Sequence, residues 1–259
     1  MKLIVLTENT TADAAIGCEH GLSLYIETGG KRILFDMGQT ALFAENAQKL
    51  CVDLARIDFA VLSHGHYDHG GGLQTFLTCN KTAPVFLSRY AFEPHYNGTE
   101  KYIGLDTALQ SSERLVLTGE THRIADGLTL FSCNERTRPF DFGSANLHVM
   151  QNGVLMPEDF RHEQYLLIEE NGRRILISGC SHKGILNIME WFRPDVLIGG
   201  FHLMKQPCGD LLRSYATRLN AYPTAYYTCH CTGTEQYAFM RGTMQRLHYI
   251  SAGTVLKIR

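Results

Sequence analysis

The stretch Ser63-His64-Gly65-His66-Tyr67-Asp68-His69-Gly70-Gly71-Gly72 sets four potential metal ligands within six residues and follows them with three glycines. Just upstream, Ile57 to Leu62 is apolar and β-branched, the pattern of a short buried strand, so the histidines begin where that strand runs out into a loop. Loops at strand ends are where sites are commonly built. On extended backbone His64 and His66 face the same side, whereas the adjacent Asp68 and His69 diverge toward a second point. One run can therefore feed two metals. Imidazole and carboxylate suit Zn, Mn or Fe, and paired catalytic metals sit roughly 3.5–4 Å apart. Structural zinc sites favour closed Cys/His quartets in paired motifs, which this dense His/Asp run is not.

The rest of the chain is ample for a large α/β fold: 259 residues with 44% hydrophobic content supply a core. Twenty-four basic and twenty-six acidic residues leave a formal net charge of -2 without a basic block, so electrostatics does not point to nucleic acid. The N-terminal apolar run meets Glu8 at once and no other segment has membrane-spanning length, from which a cytoplasmic protein without a membrane partner is expected. Eight scattered cysteines lack the density of a disulfide framework and read as thiols of a reducing compartment.

Strands are expected at Lys2 to Leu6, Gly21 to Glu27 and Lys31 to Asp36, the last two joined by the hairpin signal Thr28-Gly29-Gly30. Ala41 to Leu50 has helical spacing behind Thr40 as N-cap, and a helix is expected from Gly71 to Leu77. After a strand at Val85 to Leu87, residues 88 to 112 lose periodicity, as in a binding loop or an aromatic-packed surface excursion. Strands at Leu115 to Leu117 and Leu128 to Phe131 precede a loop-rich span from Asn134 to Pro157. From Tyr165 the pattern tightens into strands at Tyr165 to Glu169, Arg174 to Ser178, Val196 to Ile198, Ala225 to Thr228 and Tyr249 to Ile258. Helices are expected between them at Gly184 to Phe192, Leu211 to Leu219 and Glu235 to Met244. Without a linker or repeat, residues 1–259 read as one domain of two sheets packed face to face with helices outside.

Three of the later strands end in histidine: Ser178-Gly179-Cys180-Ser181-His182, Gly199-Gly200-Phe201-His202 and Thr228-Cys229-His230. A single histidine after a strand is more often structural than a ligand, but three in succession beside glycines can converge at one sheet edge.

With its trailing glycines, the Ser63 to His69 run resembles the signature of the metallo-β-lactamase superfamily. The resemblance spans essentially the whole chain. It implies an α/β fold, the four-layer αββα sandwich, with a dinuclear metal site at the open edge between the sheets. Glu19-His20-Gly21-Leu22-Ser23, Leu34-Phe35-Asp36-Met37-Gly38-Gln39, Gly179-Cys180-Ser181-His182-Lys183-Gly184-Ile185, Gly199-Gly200-Phe201-His202-Leu203 and His230-Cys231-Thr232-Gly233 resemble one branch, the dihydropteroate-synthase-like group. That branch is named for an archaeal enzyme that joins a 7,8-dihydropterin to a ribofuranosylaminobenzene phosphate. Carried over by position, His64 and His66 would hold a first metal, Asp68, His69 and His230 a second. Where superfamily members have Gly-Asp this chain has Gly179-Cys180. The preferred replacement is His182, ahead of Cys180, His162 and Glu163.

The resulting expectation is a hydrolase of a small anionic molecule working with two divalent ions, zinc first and manganese or iron as options. Asp68 would orient the nucleophile, and His202 would donate a proton or orient a ligand. Arg89, Arg136, Arg138 and Lys183 are candidates for the anionic group, while Glu19 and His20 are expected in a structural turn, with a place in the outer shell of the site as the alternative. The alternatives are a transferase condensing a pterin pyrophosphate with an arylamine phosphate, and a metal-occupied binding or sensing protein.

Overall fold

The computed structural model describes residues 1–258. Alternation along each strand explains the layering. In Lys2–Thr7, Leu3 and Val5 enter one core while Ile4 and Leu6 enter another. Tyr165–Glu170 divides likewise, Leu166 and Ile168 from Tyr165 and Leu167. Strands buried on both faces read as continuous apolar runs.

One seven-stranded sheet has the order Val255–Lys257, Lys2–Thr7, Ser23–Thr28, Lys31–Phe35, Phe59–Val61, Val85–Ser88, Leu115–Thr118. The other runs Leu247–Tyr249, Ala225–Thr228, Val196–Ile198, Arg173–Ile177, Tyr165–Glu170, Leu128–Phe131, Thr121–Ala125. Leu24, Ile33 and Val61 of the first meet Leu130, Leu166 and Ile198 of the second in the central core. Helices Leu42–Lys49 and Leu73–Cys79 cover the outer face of the first sheet; Ile185–Phe192, Asp210–Asn220 and Thr234–Arg241 cover that of the second. The result is the expected αββα sandwich.

In both sheets one half is parallel: Lys31–Phe35 through Leu115–Thr118, and Arg173–Ile177 through Leu247–Tyr249. Parallel strands deliver their carboxyl ends to one edge, where α/β proteins place their sites. Asp36, the His64 run, Cys180, His202 and His230 all follow such ends.

Some expectations shift. The helix expected from Gly71 to Leu77 runs Leu73–Cys79, and a further short helix, Tyr67–Gly70, precedes it within the motif. Helix Leu42–Lys49 has no side-chain N-cap; Thr40 Oγ1 instead accepts the Leu42 N–H at 3.1 Å. The spans taken as irregular contribute His95–Asn97, Lys101–Tyr102, Leu147–Gln151 and Val154–Pro157 to a further four-stranded sheet beside the metal run. Thr121–Ala125 is an additional edge strand. Among the described residues no helix is long and apolar enough to cross a membrane.

Candidate metal centre

The helix Tyr67–Gly70 turns the motif so that His64, His66, Asp68 and His69 are all buried at the edge where the two sheets meet. Gly179 permits the closest approach of the second sheet, since a Cβ there would collide with Ser63 Oγ and approach His64 Nδ1. All six expected metal ligands come together.

Hydrogen bonds fix which ring nitrogens face inward. Asp36 Oδ1 accepts the Ser63 N–H and its Oδ2 the Ser63 hydroxyl, both at 2.7 Å. With its proton directed to Asp36, Ser63 Oγ accepts from His64 Nδ1 at 2.8 Å, which leaves the lone pair of a neutral His64 on Nε2. That nitrogen lies 3.3 Å from His182 Nε2. On the other side, His69 Nδ1 donates to Asp36 Oδ2 and His230 Nδ1 to Asn9 Oδ1, each at 2.7 Å. Their Nε2 atoms consequently face each other at 3.2 Å, with Cys180 Sγ 3.2 Å from His69 Nε2 and Asp68 Oδ2 3.4 Å from His230 Nε2. Two imidazole nitrogens this close need a positive charge between them, a proton or a metal ion, and imidazole, carboxylate and thiolate are a donor set for zinc or iron. Rings pinned from behind by carboxylate or amide oxygen are the usual arrangement around a bound metal. The residues fit a divalent cation.

Protonation follows the same logic. Burial, reinforced by neighbouring histidines, holds His64, His66 and His182 well below the usual imidazole range, so they stay neutral and able to ligate. Burial also disfavours a charged His69, but Asp36 and Asp68 outweigh it and push this group up to about 9. Asp68 lies well below the usual carboxylate range despite burial, because His69, His20 and His230 surround it. Positive charge is favoured at this point.

The fallback ligands sort themselves out. Cys180 and His182, weighed as substitutes for one another, stand in different places: Cys180 beside His69, His182 beside His64. Glu163 is occupied, with Oε1 accepting the His182 N–H at 2.7 Å and Oε2 the Lys183 N–H at 3.0 Å and the Tyr165 hydroxyl at 2.5 Å. His162 Nδ1 accepts the Gly65 N–H at 2.8 Å and lies behind the motif. His202 is half-buried, with its ring 4.2 Å from that of His182 and its Nδ1 unpartnered.

A cavity of about 720 Å³ opens over the cluster and is lined by His20, His66, Asp68, His182, His202 and His230 among others. Its charged residues away from the ligands are Lys101, Lys205 and Asp141, and none of the four cations expected from the sequence lines it. Lys183 is buried and donates to Ser132 O and Glu163 O, Arg136 to Trp191 O, Arg138 to Asp159 O and Arg89 to Thr118 O. His20 takes the outer-shell alternative, reaching Asp68 Oδ2 at 3.2 Å, while Glu19 caps a turn at Gln39 and Thr40. Sequence reasoning gave no site role to Asn9, and quoted Asp36 without the job it does. Asp36 had a signal, the carboxylate closing a strand, whereas nothing local marks Asn9.

A family model described as the metallo-beta-lactamase superfamily matches residues 16–218. The chain belongs to that superfamily. The 7,8-dihydropterin-6-methyl-4-(beta-D-ribofuranosyl)-aminobenzene-5'-phosphate synthase of Methanocaldococcus jannaschii is 27% identical, covering 99% of this chain and 96% of its own length. An uncharacterized protein of the same organism is 28% identical over 89% of this chain and 91% of its own. A solved metal-dependent hydrolase of the beta-lactamase superfamily superposes with a TM-score of 0.86 at 27% identity, covering 100% of this chain and 99% of the other.

Proposed function

We propose that this chain is a metal-dependent hydrolase of a small anionic molecule. The observation that carries the reading is the two pairs of facing imidazoles, His64 with His182 at 3.3 Å and His69 with His230 at 3.2 Å, beneath one cavity. His64, His66 and His182 would hold one divalent ion, and Asp68, His69, His230 and Cys180 a second. Bound there, such ions acidify a water and polarise a substrate oxygen.

The side chains supply the remainder. The histidine contacts of Asp68 fall on Oδ2, leaving Oδ1 to accept a hydrogen bond from the attacking water and orient it. His202, at the cavity wall beside His182, would donate a proton to the leaving group. Lys101 and Lys205 offer ammonium groups to an anionic substrate.

Elemental analysis of His64→Ala and Asp68→Ala should show metal lost from each, and Asp68→Ala should slow zinc- or manganese-supported turnover of phosphodiester or ester substrates by at least about 100-fold. Unchanged metal content in both variants would sink the reading. The likeness to the dihydropterin synthase across nearly the full chain favours a second reading, a transferase, which amine-dependent consumption of a pterin pyrophosphate would reveal.

A further inference from the structure

Behind His66, on the side away from the cavity, lie three buried residues that the reading above leaves unused: His95, Glu158 and His162. One nitrogen or oxygen from each of the four lies within 4.8 Å of the others. The Nε2 atoms of His66, His95 and His162 are all enclosed and without a hydrogen-bond partner. So much unspent polarity in the interior is costly and calls for an account.

A third metal is the first candidate, and the Gly65 amide argues against it. Because His162 Nδ1 accepts the Gly65 N–H at 2.8 Å, a neutral His162 carries its proton on Nε2, the atom aimed into the cluster. A proton stands where a ligand lone pair would be needed. His95 is fixed the opposite way: its Nδ1 donates to Glu158 Oε2 at 2.7 Å, so its Nε2 is an acceptor. Glu158 Oε1 accepts the Phe160 N–H at 3.2 Å and lies 3.7 Å from His162 Nε2. The pocket thus holds one donor, His162 Nε2–H, and two acceptors, Glu158 Oε1 and His95 Nε2. The donor missing from this balance is His66 Nε2–H.

We infer that the His95 Nε2 lone pair, fixed by Glu158 and within 4.8 Å of a His66 ring atom though not hydrogen-bonded to it, favours the proton of His66 on Nε2 and thereby presents the Nδ1 lone pair of His66 to the cavity. His66 lines that cavity, and its Nδ1, unlike its Nε2, is not among the enclosed atoms. His162 completes the arrangement by stacking on His95, with ring centroids 4.0 Å apart and an interplanar angle of 27°, and by tethering Gly65 between the two motif histidines. The three are positioning residues. They act through His66, and the inference rests on His66 being a metal ligand only for its consequence, not for the tautomer itself.

The test is nitrogen NMR of the imidazoles in chelator-treated protein, followed by competitive zinc titration of the same samples. In the parent protein His66 should appear as the Nε2–H tautomer. In Glu158→Gln the amide cannot accept from His95, Phe160 and His162 at once, so His95 loses its fixed tautomer, and a mixed His66 tautomer is expected together with zinc affinity weakened about 10- to 100-fold. His95→Leu should do the same, and His95→Gln, which can return an oxygen acceptor near the lost Nε2, should restore most of both. Unchanged backbone amide spectra separate these effects from unfolding. A parent His66 protonated on Nδ1, or a Glu158→Gln protein unchanged in both tautomer and affinity, overturns the inference. If the parent binds no zinc, the function proposed above fails while the tautomer measurement still decides this one.

Discussion

Cys180 and His182 are two residues apart on a strand-end loop, yet they reach different partners. Cys180 Sγ meets His69 Nε2 at 3.2 Å and His182 Nε2 meets His64 Nε2 at 3.3 Å. Ser181 between them has a φ of 62°, a left-handed conformation that turns the chain sharply enough to separate the flanking side chains. A strand here would have pointed both to one side. Under the proposed function, each residue would then serve its own metal. Cys180→Ser should reduce metal content by up to one equivalent and spare the ion beside His64, whereas His182→Ala should lower the occupancy at His64 and leave the thiol-linked ion in place. Elemental analysis with cobalt substitution reads the difference, because the thiolate-to-cobalt absorption band should vanish only in Cys180→Ser. If that band were lost equally in His182→Ala, the two positions would not be independent.

At the scale of the element, the His182 loop is held by one carboxylate. Glu163, two residues before the strand Tyr165–Glu170, collects the His182 N–H, the Lys183 N–H and the Tyr165 hydroxyl, all in the interior. Glu163→Gln substitutes a donor for one acceptor oxygen in a place where every neighbour donates. A buried mismatch of this kind costs about 1–3 kcal/mol, and differential scanning calorimetry should show a melting point several degrees lower. A melting point within a degree of the parent would mean that another group anchors the loop. The same loop shows what was readable beforehand. Strand ends with histidine were legible because alternation and β-branching mark a strand locally, and the parallel half of a sheet then brings its ends together. The strands at His95–Asn97 and Leu147–Gln151 were not legible: they pair with each other across some fifty residues, and neither has a run long enough to show a period. With them went His95 and Glu158, whose purpose exists only once that pairing has carried them behind His66. Lys101 and Lys205 escaped for the same reason, since a lysine facing a cavity has no local mark.

For the whole molecule, gathering so many histidines into one interior makes stability depend on pH in a direction that can be worked out. His64, His66, His162 and His182 are held well below the usual imidazole range, by burial first and by neighbouring charged groups after that. In the unfolded chain each takes up a proton near pH 6.5. Below that pH the unfolded state binds more protons than the folded one, so stability falls as the pH falls, by up to about 1.4 kcal/mol per histidine for each pH unit. Four such groups acting together rival the total of about 5–15 kcal/mol that holds a typical domain folded. Asp68 adds nothing in this window: its depressed carboxyl is ionised in both states until the pH nears the ordinary carboxylate value. From pH 6.5 to about 8.5 the signs oppose one another. His69, pushed up to about 9, loses its stabilising proton difference as the pH rises. Cys231, drawn well below the usual thiol range against burial by its bonds to Cys180 and His202, gains. The chelator-treated protein should therefore melt highest near neutrality, with a shallow alkaline side and a steep collapse between about pH 6.5 and 5. Calorimetric scans across that range decide it: a melting point that stays level from pH 7 to 5 would show that the four buried imidazoles take up protons without unfolding, and that the cluster is far wetter than its enclosure implies.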